Sequence, residues 1–286
     1  MSWGGYGSGA AGLPGAGGGF GSGSPGLSGP FMATGTSFVQ FLAAQAPELL
    51  PAPSLDLNQL ADHGQPPGPI ATTVVALTCR DGLVMAGDRR ATMGHAIVGR
   101  EMEKVYPADA YTAIGVAGTA GPALDLVRLY QLELEHYEKV EGTGLSLEGK
   151  ANRLGAMLRG RLGLALKGLA VLPLLGGFEA GQARLFSFDL TGGHYQERDY
   201  TATGSGAVFA RGSLKKLHKP NATVRVAVRT SIKALMDAAE DDAATAGPDF
   251  SRAIWPVVAQ VNAKGYRRLS AAELAPIMTA LREAAP

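Results

Sequence analysis

The sequence predicts an α+β fold in which helices are layered against antiparallel sheets, preceded by a long arm with no core of its own. Three observations predict it. From residue 72 onward, β-branched and apolar runs alternate in blocks with longer segments at helical spacing, in the order strands, helix pair, strands, helix pair. An Asp81-Gly82 dipeptide joins two of the apolar runs, the signal of a tight hairpin. Glycine supplies 14 of the first 36 residues, mixed with Ser, Ala and Pro, and such a composition buries too little apolar surface to offset chain entropy.

The arm is read as residues 1–71 and the compact domain as residues 72–286. Within the arm, Phe38, Phe41 and Leu42 fall at i, i+3 and i+4 behind a Ser or Thr cap, which predicts a short amphipathic helix over about 37–50 that docks onto something. Residues 51–69 return to Pro-rich, extended sequence. The arm holds Glu48, Asp56 and Asp62 and no Lys or Arg, so its charge is −3 against +4 for the remainder. It lacks the basic start and continuous apolar run of a secretory signal. The apolar stretch Leu162 to Leu175 is broken by Lys167 and Pro173, too short for a bilayer span, so no membrane association is expected.

In the domain, strands are expected at Thr72–Thr78 and Leu83–Ala86, flanking the hairpin turn, and at Tyr111–Val116. Helical spacing predicts two long helices, Ala120–Val140 and Ser146–Leu169. Strands follow at Leu172–Phe178, Ala183–Asp189 and His194–Tyr200, then helices at Ala207–His218 and Thr223–Glu240, a strand at Ala253–Val261 and a last helix from Ser270. No internal repeat is present.

Composition narrows the function classes. At 286 residues and 46% hydrophobic, the chain is long enough for a full apolar core without disulfide staples. Lys plus Arg number 26 against 25 acids, a net of +1 that gives no electrostatic footprint for nucleic acid or a membrane surface. Cys79 is the single cysteine, so neither an internal disulfide nor a cysteine-based zinc cage is available. Gly21, Gly23 and Gly26 satisfy a GxGxxG pattern, but in the Gly-rich arm, with neither the strand nor the helix such a loop needs. Residues 144–150 nearly spell a phosphate-binding loop, yet Ala151 replaces the magnesium-holding hydroxyl and a helix precedes it. The five histidines show no ligand spacing and there is no GxSxG elbow, so no metal, cofactor or α/β-hydrolase site is expected.

The informative region is Ala71 to Gly121. A polar Thr72-Thr73 pair opens an otherwise apolar strand immediately after the linker, and Asp88 stands at a strand end in Gly87-Asp88-Arg89-Arg90. Lys104 lies 16 residues beyond Asp88, and residues 115–121 supply small side chains where a backbone approaches something closely or turns into a helix. Singly, each has an ordinary structural explanation: strand threonine, a surface ion pair, turn glycine.

Together they resemble the bacterial proteasome β-subunit family. The stretches TTVVAL, MAGDRR, EKVYP, YTAIGVAGTAG, LELEHYEKVEG, ATGSGAVFA and DAAEDDAATAGPD carry the likeness, and SFVQFLAAQAPELLP in the arm is similar to that family's propeptide helix. The resemblance implies a four-layer αββα sandwich, the N-terminal-nucleophile hydrolase fold, and a threonine endopeptidase made as an inactive precursor. Cleavage of the Ala71–Thr72 bond would give Thr72 a free α-amine, whose ordinary pKa of about 7.7–8.0 suits a proton acceptor near neutrality. Nucleophile and base would then reside in one residue. By the same resemblance Lys104 favours loss of the Thr72 hydroxyl proton and Asp88 holds Lys104. The Gly118 N–H would form the oxyanion hole, where losing a donor typically costs about 2.7–4 kcal/mol. Ser205, Asp242 and Thr245 match the supporting network around the amine. Ala91, Met102, Val116 and Ala120 fall where the family lines its specificity pocket, all uncharged, which implies cleavage after hydrophobic residues. Thr92 would bind substrate backbone.

The chain departs from the family in two places: Ala71 stands where the family usually has Gly before its threonine, so self-processing should be slower, and Ala246-Gly247 replaces a common Gly pair. As partners the resemblance implies seven-membered β rings stacked with α-subunit rings around a closed chamber, a ring-shaped ATPase activator, and unfolded or modifier-tagged substrates in the cytoplasm. Three alternatives share parts of the pattern: the simpler bacterial two-ring threonine peptidase, whose presequence and chain are shorter; an N-terminal-nucleophile amidase acting on a small metabolite; and a ring subunit without catalysis.

Overall fold

Strand β1 (Thr73–Cys79) and β2 (Gly82–Gly87) are buried along nearly their whole length. That explains why they read as continuous apolar runs instead of alternating ones: both faces of their sheet are covered. Val74, Ala76, Leu83 and Met85 face one core, while Val75, Leu77, Val84 and Ala86 face another. The computed structural model describes residues 72–93 and 96–284. The arm, its expected helix at 37–50, the Pro-rich segment and Ala71 lie outside the described residues.

The hairpin β1–β2 is the centre of the first sheet. It pairs on one side with β10 (Tyr200–Gly204) and on the other with β11 (Val257–Asn262), which pairs in turn with β12 (Gly265–Arg268). The second sheet runs in sequence order through β5 (Val105–Asp109), β6 (Thr112–Gly118), β7 (Val171–Glu179), β8 (Gln182–Phe188) and β9 (His194–Glu197). A small hairpin, β3 (Ala91–Met93) with β4 (Ala96–Gly99), stands apart, and all strand pairs are antiparallel.

Three cores separate four layers. The middle core joins the sheets: Val74, Met85, Val257 and Val261 from the first meet Val105, Ala113, Leu174 and Leu185 from the second. Outside the second sheet lie α1 (Ala120–Glu141) and α2 (Leu147–Arg159), which bury Leu126, Tyr130, Leu147 and Leu154 against Ile114, Leu175 and Phe186. Outside the first lie α4 (Ala207–Leu217), α5 (Val224–Asp241) and α6 (Ala271–Glu283), which bury Leu214, Ile232, Leu235 and Met278. The order is helix, sheet, sheet, helix, as the αββα expectation requires. Among the described residues no helix is long and apolar enough to cross a membrane.

Element boundaries differ from the sequence reading where local geometry intervenes. The helix expected over 146–169 is two pieces, α2 and a five-residue α3 (Leu162–Leu166), because Gly160 closes α2 and Arg161 N bonds back to the Leu158 carbonyl. The single strand expected at 194–200 is β9 and β10, which belong to different sheets. The chain crosses over at Arg198-Asp199, and the Thr78 N–H holds the Asp199 carbonyl at 2.8 Å. The strand expected from Ala253 starts at Val257, since residues 250–253 form a turn closed by a bridge between Asp249 and Ile254, with Ala253 at φ 52°. Strands β3, β4, β5 and β12 are too short or too polar to stand out by periodicity.

Candidate active site

The edge between β1 and β10 is where the site is built. Thr72, immediately before β1, is 3% exposed, and its carbonyl accepts the Ser205 N–H at 3.0 Å. Close approach dictates the β10 end: a Cβ on Gly204, whose φ is +104°, would lie 1.7 Å from the Thr72 carbonyl oxygen. Only glycine fits there. The Thr72 Oγ1 is buried and has no hydrogen-bond partner among the described residues. An unsatisfied buried hydroxyl is uncommon and needs a reason.

A wholly buried ion pair is tied to the same strand start through the Thr73 N–H. Lys104, in the segment leading into β5, donates from Nζ to Asp88 Oδ1 and to the Arg90 carbonyl, both at 2.6 Å; the lysine is 1% and the aspartate 0% exposed. Asp88 follows β2 and collects four donors. Oδ1 takes the Thr73 N–H at 2.9 Å as well as Lys104, and Oδ2 takes the N–H groups of Arg90 at 2.9 Å and Ala246 at 3.1 Å. One carboxylate oxygen therefore holds both the Thr72–Thr73 peptide and the ammonium, which brings the lysine to the start of β1. Burial pulls the Lys104 pKa below its ordinary value, and Asp88 opposes that pull without cancelling it. Two of the three Nζ donors are occupied, leaving one for a further acceptor.

A hydroxyl chain forms the other wall. Thr245 Oγ1 donates to Asp242 Oδ2 at 2.6 Å, so its single proton is committed and the 2.6 Å contact with Thr73 Oγ1 must be donated by Thr73. The Gly206 N–H donates to Thr73 Oγ1 at 3.0 Å, and Ser205 Oγ donates to Asp242 Oδ2 at 2.5 Å. Burial pushes the Asp242 carboxyl up, but the bonds from Ser205, Thr245 and the Ala244 N–H outweigh it and hold the group below its ordinary value. A Cβ on Gly206 would lie 2.6 Å from both Thr245 Oγ1 and Thr73 Oγ1, so the chain closes only around a bare backbone.

Of the remaining expected residues, Val116, Met102, Ala91 and Thr92 are linked to this centre through the backbone, while Gly118 and Ala120 lie at the end of β6 and the start of α1. Gly118 ends β6 at φ +112°, where a Cβ would lie 2.1 Å from the Ala170 carbonyl oxygen, and α1 begins two residues on. Val116 donates its N–H to the Lys104 carbonyl at 2.9 Å, which ties β6 to the lysine; its side chain belongs to the core under α1 and α2. Met102 N bonds to the Arg89 carbonyl at 3.1 Å, and Ala91 and Thr92 directly follow Arg90, which carries Lys104 on its carbonyl. Ala120 opens α1.

Comparison with known proteins fits this geometry. The family described as "Proteasome subunit" matches residues 70–249. The chain is 55% identical over 249 residues to the proteasome subunit beta of Acidothermus cellulolyticus, covering 84% of each chain. It is 52% identical over 251 residues to that of Jonesia denitrificans, covering 86% of this chain and 81% of the relative. The chain belongs to the proteasome subunit family. Its relatives in that family are bacterial β subunits, and coverage of this extent exceeds what residues 72–286 alone supply, so the likeness runs into the arm.

Two residues of this candidate site are named in the sequence reading only as part of their motifs and are given no role there. Thr73 is bonded through both its N–H and its hydroxyl, and its only advance signal is a polar side chain opening a buried strand. Arg90 links Asp88 through its N–H and Lys104 through its carbonyl, and its guanidinium holds the Ala243 carbonyl at 2.7 Å and the Thr245 carbonyl at 3.2 Å. Nothing in the spacing announces partners about 150 positions away. At the Ala246-Gly247 departure, the Ala246 N–H donates to Asp88 Oδ2 at 3.1 Å.

Proposed function

We propose that this chain is a β subunit of a proteasome core particle and a threonine endopeptidase, with residues 1–71 a propeptide and Thr72 the nucleophile. The observation that carries the reading is the buried Thr72 Oγ1, without a hydrogen-bond partner among the described residues, at the strand start that Asp88 ties to the buried Lys104. A buried hydroxyl that spends no hydrogen bond on the described fold, at the strand start to which a desolvated cation is tied, is disposed to react and not to stabilise.

In the uncut chain the Thr72 nitrogen is an amide and accepts no proton. Removal of residues 1–71 makes it an amine, which takes the hydroxyl proton as Oγ1 attacks the scissile carbonyl. The remaining Nζ donor of Lys104 stabilises the developing negative charge on the threonine oxygen, and Asp88, itself held by three backbone N–H groups, fixes the lysine through one hydrogen bond. The Gly118 N–H receives the carbonyl oxygen. Collapse expels the amine fragment and leaves an ester on Thr72, which water activated by the same amine hydrolyses. Ser205, Thr245 and Asp242 hold the Thr72 carbonyl and the first residue of β1 in place.

Processing of the Ala71–Thr72 bond is autocatalytic in this reading. Ala91, Met102, Val116 and Ala120 supply an uncharged pocket suited to hydrophobic residues, with Thr92 on the substrate backbone. The subunits assemble as heptameric rings stacked with α-subunit rings, enclosing the sites, with an ATPase ring feeding unfolded or modifier-tagged proteins in the cytoplasm. Exposed Leu132 and Val140 on α1 and Val208 on α4 support assembly, since a lone chain leaves these apolar side chains in water. The test is Thr72→Ala: it abolishes both processing and hydrolysis of fluorogenic peptides, whereas retained turnover overturns the assignment.

A further inference from the structure

Arg90 touches both walls of the candidate site, and the proposed reaction gives it nothing to do. Its backbone belongs to the cation side: the N–H donates to Asp88 Oδ2 at 2.9 Å and the carbonyl accepts Lys104 Nζ at 2.6 Å. Its side chain belongs to the hydroxyl side. Nη1 donates to the Ala243 carbonyl at 2.7 Å and to the Thr245 carbonyl at 3.2 Å, in the turn that follows α5. The Thr245–Ala246 peptide is thereby held at both ends, since its N–H donates to Asp88 Oδ2 at 3.1 Å. From the same turn the Thr245 hydroxyl meets Thr73 Oγ1, and Asp242 Oδ2 accepts Thr245 and Ser205. The two hydrogens of one rigid, planar guanidinium nitrogen hold two carbonyls in a fixed geometry, which an ammonium on a flexible stem does not reproduce.

We propose that Arg90 is a positioning residue for the Thr72 chemistry of the peptidase reading, on which this role rests: its side chain locks the 242–246 turn onto the Asp88–Lys104 pair, so that both walls keep one register at the start of β1. A bolt for the turn alone would lower thermal stability and leave turnover per processed chain untouched. The locked arrangement should instead be felt in turnover and at Lys104. Burial lowers the Lys104 pKa, Asp88 opposes that, the Arg90 charge adds to the lowering, and Asp242 acts in the same sense as Asp88.

The test uses assembled particles of the full chain carrying Arg90→Lys or Arg90→Ala; the N–H and carbonyl of residue 90 remain in both. Hydrolysis of a fluorogenic peptide is followed across the neutral and alkaline range, with rates divided by the fraction of chain that begins at Thr72 in intact-mass spectra. Arg90→Lys keeps the charge and loses the two-carbonyl grip, so kcat should fall about tenfold with KM within about twofold and the alkaline limb of kcat/KM unmoved. Arg90→Ala should lower kcat about tenfold or more and also move that limb to higher pH, the opposite direction to losing Asp88. Wild-type kcat in either variant, a loss confined to KM, or a limb in Arg90→Ala that stays put or moves down overturns the role. Where Arg90→Ala does not assemble, Arg90→Lys decides by the same kcat criterion, and failure of both to assemble marks a structural bolt and also overturns it. Thr72→Ala run in parallel separates the two claims. Turnover in that variant sinks the peptidase reading, whereas its silence beside a wild-type Arg90→Lys sinks only the role of Arg90.

Discussion

Asp88 is the residue on which the site's electrostatics turn, because its two oxygens gather Lys104 and three backbone N–H groups. Asp88 raises the Lys104 pKa against the lowering by burial. In the proposed reaction the amine must be deprotonated and Lys104 protonated, so the pH profile of kcat/KM is bell-shaped, with its alkaline limb set by Lys104 below 10.5. Removing the carboxylate charge with Asp88→Asn moves that limb to lower pH; a limb that stays put or rises contradicts the pairing. Asp242 acts with the opposite sign. Its folded pKa lies below 3.8, so its contribution to stability is present above that value and is lost as pH falls through the folded pKa. Asp242→Asn should therefore flatten the loss of denaturant stability below about pH 4. Of these residues, Thr72, Asp88 and Lys104 are legible in sequence through the family resemblance of the stretches TTVVAL, MAGDRR and EKVYP, each residue alone having an ordinary structural explanation. Thr73 and Arg90 are not, since their meaning lies in partners 172 and 153 positions away.

The turn between β10 and α4 shows how an element can be fixed by what it must not contain. Gly206→Ala would drive a methyl group against Thr73 Oγ1 and Thr245 Oγ1 at 2.6 Å. We expect it to cost about 1–3 kcal/mol in chemical denaturation and to reduce peptide hydrolysis at least about tenfold, with Gly212→Ala, which meets nothing within 4 Å, as the neutral control. Between the sheets, Gly115 lets β6 approach β1 and β2, where a Cβ would lie 2.6 Å from Val74 Cγ1 and 2.9 Å from Met85 Sδ. Gly115→Val should lower the denaturant midpoint by overpacking worth about 1–3 kcal/mol. Most elements were readable from sequence because both faces of β1, β2 and β7 are buried and their runs are unbroken. The split of residues 194–204 between two sheets was not readable, because periodicity records exposure and not which sheet a strand joins.

At the scale of the whole molecule, four layers leave apolar side chains on the outer helices, Val208 at 78% exposure and Val140 at 65% among them. In the proposed rings these surfaces are covered. Val208→Glu should shift the particle toward smaller species in native mass spectrometry while leaving the helical circular-dichroism signal intact; unchanged assembly would remove this face from the contact. The layering itself was legible from the block order of strands and helices, while the number of sheets was legible only through the family resemblance, because it depends on which hairpins meet. The central claim is that Thr72 hydrolyses substrate peptides only once its nitrogen is an amine. Intact-mass measurement of the assembled particle, taken alongside peptidase activity through a maturation time course, tests it directly. The account predicts a chain beginning at Thr72 whose appearance tracks the gain of activity, and full activity from a chain that retains residues 1–71 would contradict it.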